Sequence, residues 1–151
     1  MDTLQSDFKF AIVGCGFIFD RHLSAIEHIG GKLLMACDID EKKKEKVDSD
    51  VLFFTRFDEM LKHPKFNEVT HVVICTPNAS HTSLIELSLK TDKHVLCEKP
   101  IAIDSSKLEN LIKIKKGIEK DCFSVMQLRL SPQLIELKER LTEANEVHDV
   151  V

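Results

Sequence analysis

The chain has no apolar run near the roughly 20 residues that a bilayer-spanning helix requires, so a membrane-embedded protein is not expected. Its opening, MDTLQSDFKF, has no basic segment followed by an apolar core, and the expectation is a cytoplasmic protein. A cationic excess is also missing. The 21 lysines and arginines stand against 25 aspartates and glutamates, a formal net charge of −4, which leaves no broad basic surface for a nucleic-acid backbone. The five cysteines, Cys15, Cys37, Cys75, Cys97 and Cys122, form no C-x-x-C pair. Their scatter argues against a metal site or a disulfide framework and fits buried free thiols in a reducing compartment. No internal repeat, low-complexity tract or linker interrupts the chain.

What remains is 151 residues, 43% apolar and 30% charged, enough for one domain with its own core. Residues 8–13, FKFAIV, read as a buried parallel strand, and Gly14-Cys15-Gly16 follow at once. Ile18, His22, Ala25, Ile26 and Ile29 then recur at helical spacing until Gly30 and Gly31. A second strand at 33–37 ends on Asp38, completing a strand-helix-strand unit. Further along, residues 40–46 read as a short polar helix with a solvated lysine face, 51–54 as a brief strand, and Phe57, Met60 and Leu61 as a helix ended before Pro64. Strands at 71–75 and 94–97 flank a helix over 80–89. An amphipathic helix after Asp104, a sixth strand at 123–128 and a helix from Ser131-Pro132 with Leu134, Leu137 and Leu141 on one face complete the pattern. This alternation predicts an α/β fold of Rossmann type, a doubly wound, mostly parallel sheet over residues 1–130. Residues 131–151 read as a connecting helix and, at 146–151, the opening strand of a further domain.

Three stretches carry chemistry. In a dinucleotide fold the first glycine permits the tight turn and the second lets the backbone approach a pyrophosphate at the helix N-terminus, requirements that Gly14 and Gly16 meet. The third position should be small but is Phe19, so either the helix is displaced or the ring points away. Asp38, 22 residues after Gly16, has the spacing of a carboxylate that binds ribose hydroxyls and repels a 2′-phosphate, favouring NAD over NADP. Its alternative is a helix N-cap, for which Asp40 is the better residue. Two polar loops, Thr76-Pro77-Asn78 and Glu98-Lys99-Pro100, leave the carboxyl ends of two strands, the side where open α/β sheets bind ligands.

Together these motifs resemble the glucose-fructose oxidoreductase / inositol dehydrogenase / MocA family of nicotinamide-dependent sugar oxidoreductases. The residues carrying the resemblance are Gly14-Cys15-Gly16, Asp38, Thr76-Pro77-Asn78 with His81, and the block from His94 through Glu98-Lys99-Pro100. Within the family, Arg21-His22 and Gln127-Leu128-Arg129 are similar to the bacterial UDP-N-acetylglucosaminuronate 3-dehydrogenases of surface polysaccharide synthesis. The resemblance implies NAD as cofactor and Lys99 beside the nicotinamide, binding or helping to deprotonate the substrate hydroxyl. A surface lysine paired with Glu98 is the alternative for Lys99.

By the same resemblance Phe17, Ile18, Thr76, Pro77, Asn78, His81, Glu98, Lys99 and Gln127 join Gly14, Gly16 and Asp38 around the cofactor. Arg21 and Arg129 are candidates for an anionic sugar nucleotide. For His81 a local capping or packing role is the alternative, and for Arg129 an ion pair holding the final helix. The family's second domain, a largely antiparallel sheet with most substrate and oligomer contacts, has no counterpart in these residues. The expectation is therefore the dinucleotide-binding half of a sugar dehydrogenase, a homo-oligomer when complete. A non-catalytic NAD-binding or scaffolding module is the competing reading.

Overall fold

Consecutive rather than alternating apolar positions are what strands covered on both faces require. In the computed structural model, which describes residues 7–143, they form such strands. Phe10 to Val13 are all buried in β1 (Lys9–Val13), as are Leu33 to Cys37 in β2 (Lys32–Cys37). With β3 (Leu52–Phe54), β4 (His71–Ile74), β5 (His94–Cys97) and β6 (Cys122–Ser124) they build one sheet in the order β3-β2-β1-β4-β5-β6. Every pairing is parallel, and the strand order reverses between β1 and β4. Ligands bind at such a switch point in open α/β sheets.

The helices cover opposite faces. On one side, Phe19 and Ile26 of α1 (Phe19–His28) pack with Phe10, Ile12, Leu33, Ala36 and Val73. On the other, α2 (Phe57–Lys62), α3 (His81–Leu89) and α4 (Ser105–Lys115) contribute Met60, Ile85, Leu89 and Leu111 to a cluster with Ala11, Val13, Met35, Cys37, Val72 and Ile74. Each such large apolar side chain adds roughly 1.5–3 kcal/mol by leaving water. The predicted doubly wound architecture is present.

Three expectations change in detail. Residues 40–46 do not form an α-helix; Glu41–Lys46 is a 3₁₀ segment, and Asp40 caps it by accepting the Lys42 N–H at 3.1 Å. The sixth strand is shorter and earlier than 123–128, because β5 leaves the sheet after Cys97. The last ladder bond runs from Val125 N–H to the Cys97 carbonyl (2.9 Å), after which β6 has no partner and Gln127–Leu130 coils into a 3₁₀ turn. Phe19 neither points away nor leaves a gap. Its ring is fully buried between α1 and the sheet, so the helix rests on a phenyl group where the glycine pattern expects close backbone packing.

On α5 (Pro132–Glu143), Leu134 and Leu137 share the expected face but remain exposed. The strand expected at 146–151 lies outside the described residues. Among the described residues no helix is long and apolar enough to cross a membrane.

Candidate cofactor site

The turn after β1 is braced from both neighbouring strands. Gly14 N–H donates to the Cys37 carbonyl at the end of β2 (2.8 Å), and Cys75 N–H, at the end of β4, donates to the Val13 carbonyl (2.7 Å). Gly14 takes φ +95°, and a Cβ there would lie 2.7 Å from the Cys75 carbonyl and 2.8 Å from Thr76 N. Only glycine fits that approach. Gly16 differs, because a Cβ on it would meet nothing within 4 Å. The fold demands the first glycine, whereas the second leaves backbone open at the start of α1, where an anion is favoured.

Asp38, directly after β2, turns its carboxylate toward this loop. Its Oδ2 accepts the Cys15 N–H (2.7 Å) and its Oδ1 accepts the Asp40 N–H (2.9 Å), so both oxygens are held in place. The Cys15 bond ties Asp38 to the glycine turn, and Asp40 takes the capping role that was its alternative. Outside the turn, Lys46 Nζ donates to the Gly16 carbonyl (3.3 Å) and to Asp20 (3.2 Å), strapping the 3₁₀ segment to the first turn of α1.

A cavity of about 580 Å³ opens at these strand ends. Gly14, Gly16, Asp38 and Ile39 form one side, Thr76, Pro77, Ala79 and Ser80 the other, and Thr55, Phe57 and Leu84 complete an apolar recess. Motif reading missed the recess residues, since they are ordinary side chains that only the adjacency of β2, β3 and β4 brings together. Ile39 is 94% exposed at the rim of the cavity. Thr76 and Pro77 line the cavity as expected; Ser80 bonds the Thr76 hydroxyl (2.7 Å) and fixes that wall.

The thiols around the site are inert. Burial, followed by the charge of Asp38, pushes Cys15 up to about 12 and Cys37 up to about 11, and burial raises Cys75 further still. All five cysteines are free thiols. Thiols held this high stay protonated at neutral pH and make poor nucleophiles.

Beside the cavity, Ile74 of β4 pairs with Cys97 of β5, so the Glu98-Lys99-Pro100 loop emerges next to Thr76. Glu98 N–H donates to the Ile74 carbonyl (3.0 Å). Glu98 Oε1 lies 2.8 Å from His22 Nε2 of α1, with the two side chains 15% and 11% exposed, and Oε2 accepts the Lys99 N–H (3.3 Å). The Lys99–Pro100 peptide is cis. Lys99 itself is exposed, and among the described residues its ammonium has no partner, Glu98 included. The ion pair that was its alternative reading is absent, because Glu98 is held by His22 instead.

The remaining candidates separate. His81 does not face the cavity; its ring is fully buried, with Nδ1 2.7 Å from the Pro100 carbonyl and Nε2 2.8 Å from the Thr76 carbonyl. It tethers both loops and is not positioned to touch a cofactor. Phe17 is 88% exposed at the tip of the glycine turn, and Ile18 is the N-cap residue of α1. Asn78 opens a 3₁₀ turn at the mouth of the cavity without lining it. Arg21 and Gln127 are exposed on α1 and after β6. Arg129 lines a separate hollow with Leu130, Ile135 and Lys138, and among the described residues it has no carboxylate partner. Its place near the final helix follows from the 3₁₀ turn that replaced the strand.

These residues fit a dinucleotide. Gly16 leaves room for a pyrophosphate, Asp38 presents a fixed carboxylate where a ribose belongs, and the recess behind Ile39 is a half-open apolar hollow of the kind a base can enter. Sheet order, glycine turn and terminal carboxylate define a dinucleotide-binding Rossmann domain.

The chain belongs to the Gfo/Idh/MocA oxidoreductase family with its NAD-binding Rossmann fold, whose model matches residues 8–125. It is 28% identical over 141 residues to an inositol 2-dehydrogenase/D-chiro-inositol 3-dehydrogenase of Lactiplantibacillus plantarum, covering 89% of this chain and 40% of that protein. It is 30% identical over 139 residues to an NADP⁺-dependent scyllo-inositol 2-dehydrogenase of Bacillus subtilis, covering 88% and 41%. Among solved structures, the WlbA (WbpB) dehydrogenase of Thermus thermophilus in complex with NAD and UDP-GlcNAcA superposes with a TM-score of 0.81 at 28% identity, covering 90% of this chain and 47% of that one. The chain thus spans about two-fifths of the length of the curated relatives it matches.

Proposed function

We propose that this chain is the dinucleotide-binding half of an NAD-dependent dehydrogenase that oxidises a ring hydroxyl of a sugar or sugar nucleotide, with the 3-position of a UDP-N-acetyl sugar acid as the leading substrate. The observation that carries this reading is one sheet edge presenting the Gly16 opening, the Asp38 carboxylate and, two strands from the glycine turn, the exposed side chain of Lys99. NAD, when bound, supplies the hydride acceptor. Gly16 admits its pyrophosphate, Asp38 holds its ribose and selects against a 2′-phosphate, and Thr76 with Pro77 forms the wall toward the nicotinamide.

Lys99, exposed on a loop held at both flanks, binds the substrate hydroxyl and takes its proton. Arg21 and Arg129 are its candidates for the anionic part of the substrate. The UDP-sugar choice is supported by the likeness to WlbA dehydrogenase together with Arg21-His22 and Gln127-Leu128-Arg129. On this reading the enzyme works in the cytoplasm, in surface polysaccharide synthesis, and as a homo-oligomer when complete.

Mixing the chain with NAD and a UDP-N-acetyl sugar acid and following NADH absorbance tests the activity. Substrate-dependent NADH that Lys99→Ala removes supports the proposal; equal turnover by the variant defeats the role of Lys99. The alternative reading is an NAD-binding module without turnover. It predicts NAD binding with no substrate-dependent NADH.

A further inference from the structure

We infer that His22 is a positioning residue of the nicotinamide end of the site, coupling the helix that receives the pyrophosphate to the loop that carries Lys99. This rests on the reading in which that loop meets the nicotinamide. The two elements are far apart in sequence, yet His22 Nε2 and Glu98 Oε1 are 2.8 Å apart, and both side chains are largely withdrawn from water. A hydrogen bond to a carboxylate in such surroundings is among the stronger ones a protein makes. The carboxylate's other oxygen accepts the N–H of Lys99 itself (3.3 Å), so the position of His22 is passed through one side chain to the Lys99 backbone.

The far side of the loop is held independently, by the buried His81 ring 2.7 Å from the Pro100 carbonyl. Residues 98 and 100 are therefore each gripped by an imidazole from a different helix, and the Lys99 ammonium between them has no partner among the described residues. The two grips are not equivalent. His81 joins the loop to Thr76, its neighbour at the same sheet edge, whereas His22 joins it to α1, with β2, β3, α2, β4, α3 and β5 lying between in sequence. Because α1 begins at the glycine turn, occupation of that turn by the cofactor and placement of Lys99 share one rigid link. Motif reading picked out the Arg21-His22 pair but not its partner, because a histidine on a helix face carries no local sign of a carboxylate 76 residues away.

The test compares NAD with ADP-ribose, which lacks the nicotinamide, by calorimetric titration of the 151-residue chain. Loss of the link should weaken NAD in His22→Phe by about tenfold while ADP-ribose changes by less than about twofold, and His22→Gln, which keeps a donor at that reach, should restore NAD. Adding Glu98→Gln to His22→Phe should cost less than Glu98→Gln costs alone, since the two side chains act as a coupled pair. Retained ADP-ribose binding shows that each variant is folded. Should His22→Phe bind NAD as wild type does, or lose both ligands equally, the coupling is refuted. A wild type that binds NAD no better than ADP-ribose overturns the underlying reading of the loop as well. If instead Lys99→Ala removes the nicotinamide preference and His22→Phe keeps it, that reading stands and the coupling alone is wrong.

Discussion

Replacing Gly14 and Gly16 separately by alanine should break two different things. At Gly14 the new Cβ takes on a φ of +95° and sits 2.7 Å from the carbonyl group of Cys75, which is backbone just past β4, tied to Val13 by its own N–H, and cannot swing aside. The left-handed conformation costs about 1–2 kcal/mol. The overlap adds roughly 1–3 kcal/mol, as in an overpacked core. Together they remove about 2–5 kcal/mol from a domain whose total stability is of order 5–15 kcal/mol, enough to lower Tm by roughly 10 °C.

At Gly16 the added methyl group meets nothing within 4 Å, so the fold should not notice it. It occupies the space through which the backbone approaches the pyrophosphate, and NAD affinity should fall by tenfold or more, about 1.4 kcal/mol per decade. Thermal unfolding followed by circular dichroism, paired with calorimetric NAD titration, separates the two effects. The reasoning is refuted if Gly16→Ala melts as early as Gly14→Ala, or binds NAD with wild-type affinity.

Three further outcomes are expected. Asp38→Ser should lower the ratio of NAD to NADP affinity by roughly ten- to a hundredfold, because a fixed carboxylate is lost; it should also destabilise the chain, since the Cys15 and Asp40 N–H groups lose their acceptor. An unchanged ratio in competitive titration would remove Asp38 from cofactor selection. Phe19→Ala should cost about 3–5 kcal/mol in urea unfolding, because the ring fills the space between α1 and the sheet; a loss below roughly 1 kcal/mol would mean that α1 collapses onto the sheet as in the three-glycine pattern.

The third concerns acid stability. Burial, then the neighbouring charges of His94 and Lys120, holds the His71 imidazole below its ordinary 6.5. Below about that pH the unfolded chain takes up a proton that the folded one resists, so stability should fall as pH drops from 6.5. His71→Phe keeps a ring against His94, 4.9 Å away, and should flatten this slope in urea midpoints measured from pH 8 to 5. An equally steep slope in the variant would assign the acid sensitivity elsewhere.

Much of the fold was legible because its signals are local. Runs of buried residues in β1 and β2, the glycine turn, and Asp40 and Asp104 as caps each depend on neighbours a few residues away, and each stands where the pattern puts it. Reading failed where the outcome depended on a distant partner. The sixth strand stops at Ser124 because β5, not β6, ends the ladder. The expected cofactor contact of His81 turned inward because two backbone carbonyls from separate loops converge on its ring.

Sequence alone determined the class of this protein: a dinucleotide fold is specified by a glycine turn after one strand and a carboxylate after the next, spacings that the chain carries within itself. Only the tertiary structure decided how the site is held. Parallel strands must be joined by crossovers, so β1, β4 and β5 become neighbours only after intervening helices have packed. That packing alone brings His22 to Glu98, sets Phe19 under α1 and leaves the ammonium of Lys99 without a partner among the described residues.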